Sequence, residues 1–183
     1  MTYHSVEEIF AAKEAVLRRL ELLVSTLADP LLHLQPSSGA WSIEEIIEHV
    51  AIVESGLVQL LESLLKKAEM SSGNNPAAFS FKVDLDSAVE RSRTVKFVTR
   101  DKFKPTGNVP VSESLGKLRD IQTQLLKLRP RLEVVDPARA SFPHWTFGSL
   151  NLGQWLAFVG LHEERHLAQI EETLASPEFM KHR

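Results

Sequence analysis

The chain has 183 residues, of which 43% are hydrophobic and 25% are charged, and this composition predicts a single globular domain spanning residues 1–183. It contains no cysteine, which excludes disulfides, thiolate metal sites and a cysteine nucleophile, so any metal must be bound by histidine and carboxylate. Its net charge of −3 gives no general attraction to nucleic acid or anionic membranes, and we expect neither as a partner. The sequence lacks an apolar run of roughly 18 residues and a signal-peptide pattern, so a cytoplasmic location is expected.

Two long amphipathic helices are predicted in the first part of the chain. The first begins after Ser5, which starts a capping-box pattern, and is predicted to end at Pro30. The second begins with a capping box formed by Ser42 and Glu45 and is predicted to continue to about Met70, where a Gly- and Asn-rich stretch follows. Both segments carry apolar residues at helical spacing, which indicates that each buries one face.

Two further helices are predicted near the end of the chain. The third begins near Ser112 and is predicted to stop at Pro130. The fourth has Asn151 as its cap, with Gln154 three residues later, and is predicted to end at Pro177. Four long helices and no strong strand signal predict an all-α fold, a four-helix bundle with a long connection between helices two and three.

The long connection covers roughly residues 71–110, and a short helix is predicted within it around residues 84–93. A connection of this length is expected to be functional or to form a subunit contact. Its basic residues, which are interleaved with Phe97 and Phe103, are Arg91, Arg93, Lys96, Arg100, Lys102 and Lys104. This pattern favours a solvated edge over a small apolar cluster rather than a patch that binds anions or nucleic acid.

Three histidines are predicted to face the interior of the bundle. At about 100° per residue, His166 lies about 40° from His162 on the fourth helix, on the same side as several apolar residues. His49 lies on the apolar stripe of the second helix. Since imidazoles four residues apart on a helix can share one metal, the three histidines predict a metal site that leaves a position for water or substrate. The alternative is that they are neutral, hydrogen-bonded core residues.

The segment "HEERH" also matches the H-E-x-x-H pattern of zinc proteases, in which Glu163 would be the general base. A third protease ligand is missing, because Gln169 and Glu172 occupy the positions where metzincins have glycine and histidine. We therefore interpret the match as accidental and keep Glu163 only as a weak catalytic candidate. Glu45, one turn before His49, is the other weak candidate.

Two segments of the chain, "AWSIEEIIEHVAIVE" and "FPHWTFGSLNLGQWLAFVGLHEERHLAQIEE", resemble the signature segments of the DinB/YfiT-like superfamily. The resemblance implies a four-helix bundle that binds a divalent metal through His49, His162 and His166, and it implies a homodimer. The chain departs from the family pattern at His144, whose order with the neighbouring proline is inverted, so no role is transferred to it. Ala168 replaces the glutamate that related sulfoxide synthases carry, which argues against that chemistry.

The family resemblance implies a metal-dependent enzyme, a hydrolase or a thiol S-transferase, that activates water or a low-molecular-weight thiol for reaction with a small-molecule substrate. The alternative is a non-catalytic stress-response protein that binds metal or thiol. Gln169, one turn after His166, is a candidate for orienting an imidazole. Arg165 lies at the edge of the histidine face and is a candidate for binding an anionic group, but a surface salt bridge is the favoured interpretation. An all-imidazole site suits zinc, nickel or iron.

Overall fold

The structure is a computed structural model that describes residues 2–71, 81–86 and 99–181. Four long helices dominate this part of the chain, which confirms the predicted four-helix bundle. They are α1 (Val6–Ser25), α3 (Ile43–Met70), α4 (Val111–Leu132) and α5 (Leu152–Leu174), and two short helices are α2 (Asp29–His33) and α6 (Pro177–Met180). None of the helices in the described residues is long and apolar enough to cross a bilayer.

Side-chain caps define the starts of α1, α3 and α5, as the sequence predicts, whereas α4 begins after Pro110 without a side-chain cap. The Ser42 hydroxyl accepts a hydrogen bond from the Glu45 amide, and the Glu45 carboxylate accepts one from the Ser42 amide. Asn151 and Gln154 form the same reciprocal pair at the start of α5. At α1 the Ser5 hydroxyl caps the helix. These caps satisfy amide groups that have no partner within a helix and therefore fix where each helix begins.

The helices form a closed ring in which α1 packs against α5, α5 against α3, α3 against α4, and α4 against α1. The centre is filled by branched aliphatic side chains that are fully buried, among them Ile46, Leu61, Leu118, Ile121 and Ile170. Because α5 contacts both α1 and α3, it buries more than one side. Leu167, which the helical projection places opposite the histidines, is accordingly buried as well.

Two short antiparallel strand pairs accompany the bundle, although no strong strand signal is visible in the sequence. Strand β1 (Thr2–Tyr3) pairs with β2 (Val83–Asp84), and β3 (Ser141–His144) pairs with β4 (Gly148–Asn151). The strands are two to four residues long, too short to produce a visible alternation of polar and apolar residues. The second pair is a hairpin that leads directly into α5 and thereby sets the position at which this helix enters the bundle.

Three predicted helix ends are wrong, and all involve proline. Helix α1 ends at Ser25, and Pro30 instead lies in the first turn of α2, where its fixed φ angle suits a helix start. Helix α5 ends at Leu174, and Pro177 likewise begins α6. Pro130 does not stop α4, which continues to Leu132. A proline so near the end of a helix disturbs little that follows it.

Part of the long connection lies outside the described residues, including most of the helix predicted around residues 84–93 and the side chains of Arg91, Arg93, Lys96 and Phe97. Within the described part, a short 3-10 turn covers Asp101–Phe103. Lys104 pairs with Asp101, and the Lys102 ammonium lies 4.6 Å from the centre of the Phe103 ring.

Candidate metal centre

The three predicted histidines converge. His49 comes from α3, whereas His162 and His166 lie one turn apart on α5, and one nitrogen of each ring lies within 4.8 Å of the others. The ring centres are 5.3 Å apart for His49 and His162, 4.8 Å for His49 and His166, and 4.6 Å for His162 and His166. Among the described residues this is the one group of three or more potential ligands close enough to share a metal ion.

Two of the three imidazoles are oriented by hydrogen bonds at Nδ1. His49 Nδ1 lies 2.7 Å from the carbonyl oxygen of Phe103, and His166 Nδ1 lies 2.9 Å from Oε1 of Gln169. Oxygen acceptors require the proton on Nδ1, so each neutral ring keeps a free lone pair on Nε2. Gln169 thus makes the contact that the sequence predicts, while the bond to Phe103 comes from a connection whose conformation the sequence does not reveal.

The third imidazole supplies a test of whether a metal fits. Nδ1 of His162 is buried and has no hydrogen-bond partner among the described residues. A buried polar nitrogen without a partner costs free energy unless water or a metal satisfies the ring. Three neutral imidazoles are also a donor set that zinc, nickel and iron accept. The cluster therefore fits a divalent metal better than it fits a set of satisfied core residues.

The electrostatic environment keeps the three rings neutral. Burial lowers the pKa of His166 to about 3, and repulsion from His49 adds to the shift. Burial likewise lowers the pKa of His162 well below its ordinary value, with further contributions from its two neighbours. For His49 the lowered pKa also results mainly from burial, against the opposing effect of the hydrogen bond to Phe103. Neutral imidazoles offer lone pairs at neutral pH, and protons compete only weakly for them.

The charge of Arg165 acts on all three imidazoles and contributes to the lowered pKa of each. Its side chain lies on an exposed position of α5, one residue before His166. Burial of part of the guanidinium lowers its own pKa. The surroundings of the histidines therefore carry positive potential, which favours an anionic group at the site.

Glu48 attaches the end of the long connection to α3, and the sequence analysis missed it. Its buried carboxylate accepts hydrogen bonds from the amide and hydroxyl of Thr106, at 2.9 and 2.8 Å, and from the amide of Gly107 at 2.9 Å. Gly107 has a φ of 70°, a conformation that favours glycine. Glu48 and His49 are consecutive, so one turn of α3 holds both Thr106 and Phe103. The feature of the sequence that could have indicated this role is the position of Glu48 next to His49 on a helix that is largely buried.

The two weak catalytic candidates make other contacts. Glu45 Oε2 accepts the capping bond from Ser42 and lies 3.3 Å from the Gln35 amide nitrogen. Glu163 is fully buried, and its Oε2 lies 2.9 Å from Nζ of Lys13 on α1. The structure thus directs the Glu163 carboxylate to a neighbouring helix.

The rings of His144, Phe147 and Phe158 extend from the β3–β4 hairpin to His162, and we call these three residues the aromatic wall. The His144 ring stacks on Phe147 with centres 4.5 Å apart and lies 5.1 Å from Phe158, which in turn lies 6.1 Å from His162. His144 Nδ1 accepts hydrogen bonds from the amides of Thr146 and Phe147 and so stabilises the turn between the strands. Burial lowers the pKa of His144 to about 4. His144 therefore supports the wall and the turn that precedes α5.

The model of the DinB superfamily matches residues 12–170 of the chain. The chain is 28% identical over 147 residues to "Uncharacterized protein YuaE" of Bacillus subtilis, which covers 80% of this chain and 85% of that protein. It is 25% identical over 178 residues to "Putative metal-dependent hydrolase OB0413" of Oceanobacillus iheyensis, with coverage of 96% and 89% respectively.

Two solved structures share the fold. The four-helix bundle protein TT2238 matches with a TM-score of 0.61 and 23% identity, over 91% of this chain and 98% of that chain. Bacillus subtilis YfiT, described as "a probable metal-dependent hydrolase with an unusual four-helix bundle topology", also matches with a TM-score of 0.61. The identity to YfiT is 17%, and the match covers 92% of this chain and 85% of YfiT. At these identities the likeness is evidence for the fold.

Proposed function

The chain belongs to the DinB superfamily, and we propose that it is a metal-dependent hydrolase whose metal is held by His49, His162 and His166. The observation that carries the proposal is the convergence of three neutral imidazoles from two helices on one point. The similarity to the Oceanobacillus iheyensis protein named "Putative metal-dependent hydrolase OB0413" supports the reaction class.

His49, His162 and His166 would hold the divalent metal, which would supply Lewis-acid chemistry for the polarisation of a carbonyl or phosphoryl oxygen and for the activation of water. The protein contributes orientation. The carbonyl of Phe103 fixes the ring of His49, and Gln169 fixes the ring of His166, so both Nε2 atoms are directed by hydrogen bonds made on the opposite side of the ring. Burial of His49 and His166 keeps bulk water away from this part of the site.

The substrate is proposed to be a small molecule that carries or develops negative charge. Arg165 places positive potential on the histidines, which stabilises an anionic group or the charge that develops on an oxygen during hydrolysis. The rings of Phe147 and Phe158 contact each other, and Phe158 lies next to His162, so they provide an apolar surface at the histidines. Zinc, nickel and iron remain the candidate metals, because imidazole ligands alone do not select among them.

Metal content and hydrolysis together test the proposal. Protein loaded with zinc, nickel or iron and then freed of excess metal should retain about one ion per chain, as one complete site requires. The loaded protein should hydrolyse p-nitrophenyl acetate or p-nitrophenyl phosphate, and His162→Ala should lose both the metal and the activity. His33→Ala is the matched control, because His33 is half-exposed and lies against Glu44 on the surface. Equal metal content in the His162→Ala variant would refute the assignment of the ligands.

Thiol transfer is the second reaction that the family resemblance implies, and the positive potential around Arg165 would favour a thiolate as well as an anionic substrate. The two reactions separate in one assay. The loaded protein is incubated with cysteine or another small thiol and with monochlorobimane as a generic electrophile. Hydrolysis of the esters without acceleration of thiol conjugation supports the hydrolase, and the reverse result supports the transferase.

A further inference from the structure

A second buried polar cluster lies next to the histidines and connects three helices. Lys13 of α1 places its Nζ 2.9 Å from Oε2 of Glu163 on α5 and 3.4 Å from Oε2 of Glu54 on α3. The exposed fractions are 2% for Lys13 and 0% for both glutamates. We call these three residues the buried ion cluster. Charged side chains are rarely buried to this extent unless they are paired.

The buried ion cluster joins the two helices that carry the histidines. Glu163 directly follows His162 on α5, and Glu54 lies five residues after His49 on α3. Lys13 contacts both carboxylates, so a single cation on α1 links α3 and α5 at the level of the imidazoles. The separation and rotation of these two helices determine whether His49 meets His162 and His166.

The cluster is a poor source of net stability. Three carboxylate oxygens, both of Glu54 and Oε1 of Glu163, are buried without a hydrogen-bond partner among the described residues. Replacing buried ions by apolar residues of similar volume is often neutral or stabilising, because the desolvation of the charges is avoided. A hydrogen-bonded ion pair requires a donor–acceptor distance of about 2.7–3.2 Å, whereas aliphatic side chains of similar volume can repack at modest cost.

A metal site requires that the helices carrying its ligands stay at a fixed separation. Nitrogen ligands must lie about 2.0–2.1 Å from zinc, and a tolerance of about 0.2 Å is far smaller than the shifts that helices make when a core repacks. We infer that Lys13, Glu54 and Glu163 are positioning residues that fix α3 against α5 and so hold the three imidazoles at the separation required by one metal ion. This inference rests on the proposed metal centre.

The decisive variant replaces the whole cluster by Lys13→Met, Glu54→Met and Glu163→Met. It should fold with a melting temperature equal to or above that of the wild type, and its zinc affinity should fall about tenfold, as occurs when the outer supports of metal ligands are lost. Isothermal titration calorimetry measures the affinity. The control Arg19→Gln/Glu171→Gln removes a half-exposed ion pair that also joins α1 and α5, at 3.2 Å, and should leave the affinity unchanged.

A metal-free measurement separates this inference from the proposed function. Because the chain has no cysteine, spin labels can be attached at Gln59→Cys on α3 and Glu172→Cys on α5, both exposed positions. Pulsed electron spin resonance should give a narrow distance distribution for the wild-type cluster and a broader one for the triple variant. A wild type that binds no zinc would refute the proposed function, and the distance distributions would still decide the role of the cluster.

If the triple variant does not fold, Lys13→Met/Glu163→Met takes its place. This pair leaves only Glu54, which burial without a nearby cation keeps protonated and uncharged. An unchanged distance distribution, or a zinc affinity equal to the wild type in a folded variant, would overturn the positioning role. A broadened distribution with weaker binding would support it.

Discussion

The protein has two clusters of buried ionisable groups, the three histidines and the buried ion cluster, and they differ in whether the buried groups carry charge. The histidines avoid charge, because burial lowers the pKa of each ring, repulsion between the rings adds to the shift for His162 and His166, and lone pairs stay free. In the buried ion cluster, burial lowers the pKa of Lys13 but its two carboxylate neighbours outweigh this effect, so the ammonium stays charged. Burial raises the pKa of Glu163, and it raises that of Glu54 to about 8 despite the nearby cation. The comparison shows that a neutral cluster can accept a further cation, whereas an ion cluster already contains one.

The largest expected effect comes from removing the internal cation. Lys13→Met leaves Glu54 and Glu163 buried together without a positive partner, so the free energy of unfolding should fall by about 3–5 kcal/mol. Urea denaturation measures the loss. Arg19→Met removes the cation of the half-exposed pair with Glu171 and should cost about 1 kcal/mol or less. Equal losses for the two variants would contradict the claim that removing a cation costs more in the buried ion cluster than in the half-exposed pair.

Zinc should stabilise the protein by binding to the three histidines and not to the buried ion cluster. Zinc at a hundredfold excess over its dissociation constant should raise the free energy of unfolding by about 2.7 kcal/mol, because it binds the native state. A chelator should reverse the gain, and His166→Ala should abolish it. Thermal denaturation with and without zinc measures the effect. A gain that persists in His166→Ala would place the binding site elsewhere.

Neutralising Glu48, whose carboxylate attaches the long connection to α3, should have a smaller effect on the free energy of unfolding. Glu48→Gln weakens three hydrogen bonds to Thr106 and Gly107, so the free energy of unfolding should fall by about 2 kcal/mol. The connection should also become more sensitive to limited proteolysis. Glu44→Gln, on the same helix, changes a carboxylate that contacts only the half-exposed His33 in the hydrogen bonds described and serves as control. Equal proteolysis of both variants would contradict the role of Glu48.

The smallest effect concerns pH. The pKa of Glu54 is raised by burial from an ordinary value of 4.5 to about 8, so the native state holds this proton more tightly than the unfolded state. The free energy of unfolding should therefore decrease as pH rises towards 8, by at most about 1.4 kcal/mol per pH unit. Between pH 7 and 8 the unfolded histidines are largely neutral and contribute little. Glu54→Gln should remove this decrease, and a slope retained in the variant would assign it to another group.

The bundle and its histidines were predictable because their signals are local. The capping pairs Ser42 with Glu45 and Asn151 with Gln154 mark helix starts, and the spacing of His162 and His166 places both rings on one face. The position of His49 on its apolar stripe completed the set. Each of these inferences needed only the periodicity of one helix.

The buried ion cluster and the docking of the connection were not predictable in this way. Lys13 and Glu163 are separated by 150 residues, and each is an ordinary surface residue by type. Only the arrangement of three helices shows that they meet. The hydrogen bond from His49 to the carbonyl of Phe103 depends on backbone conformation in a connection without a periodic pattern. Contacts of this kind join distant segments and produce no local sequence pattern from which they could be predicted.

Anomalous diffraction from crystals grown with zinc tests the central claim most directly, because it locates the ion without reference to activity. The geometry predicts one strong peak about 2.0–2.1 Å from one nitrogen each of His49, His162 and His166. Crystals that contain bound zinc at other places, with no peak among these three rings, would contradict the metal centre.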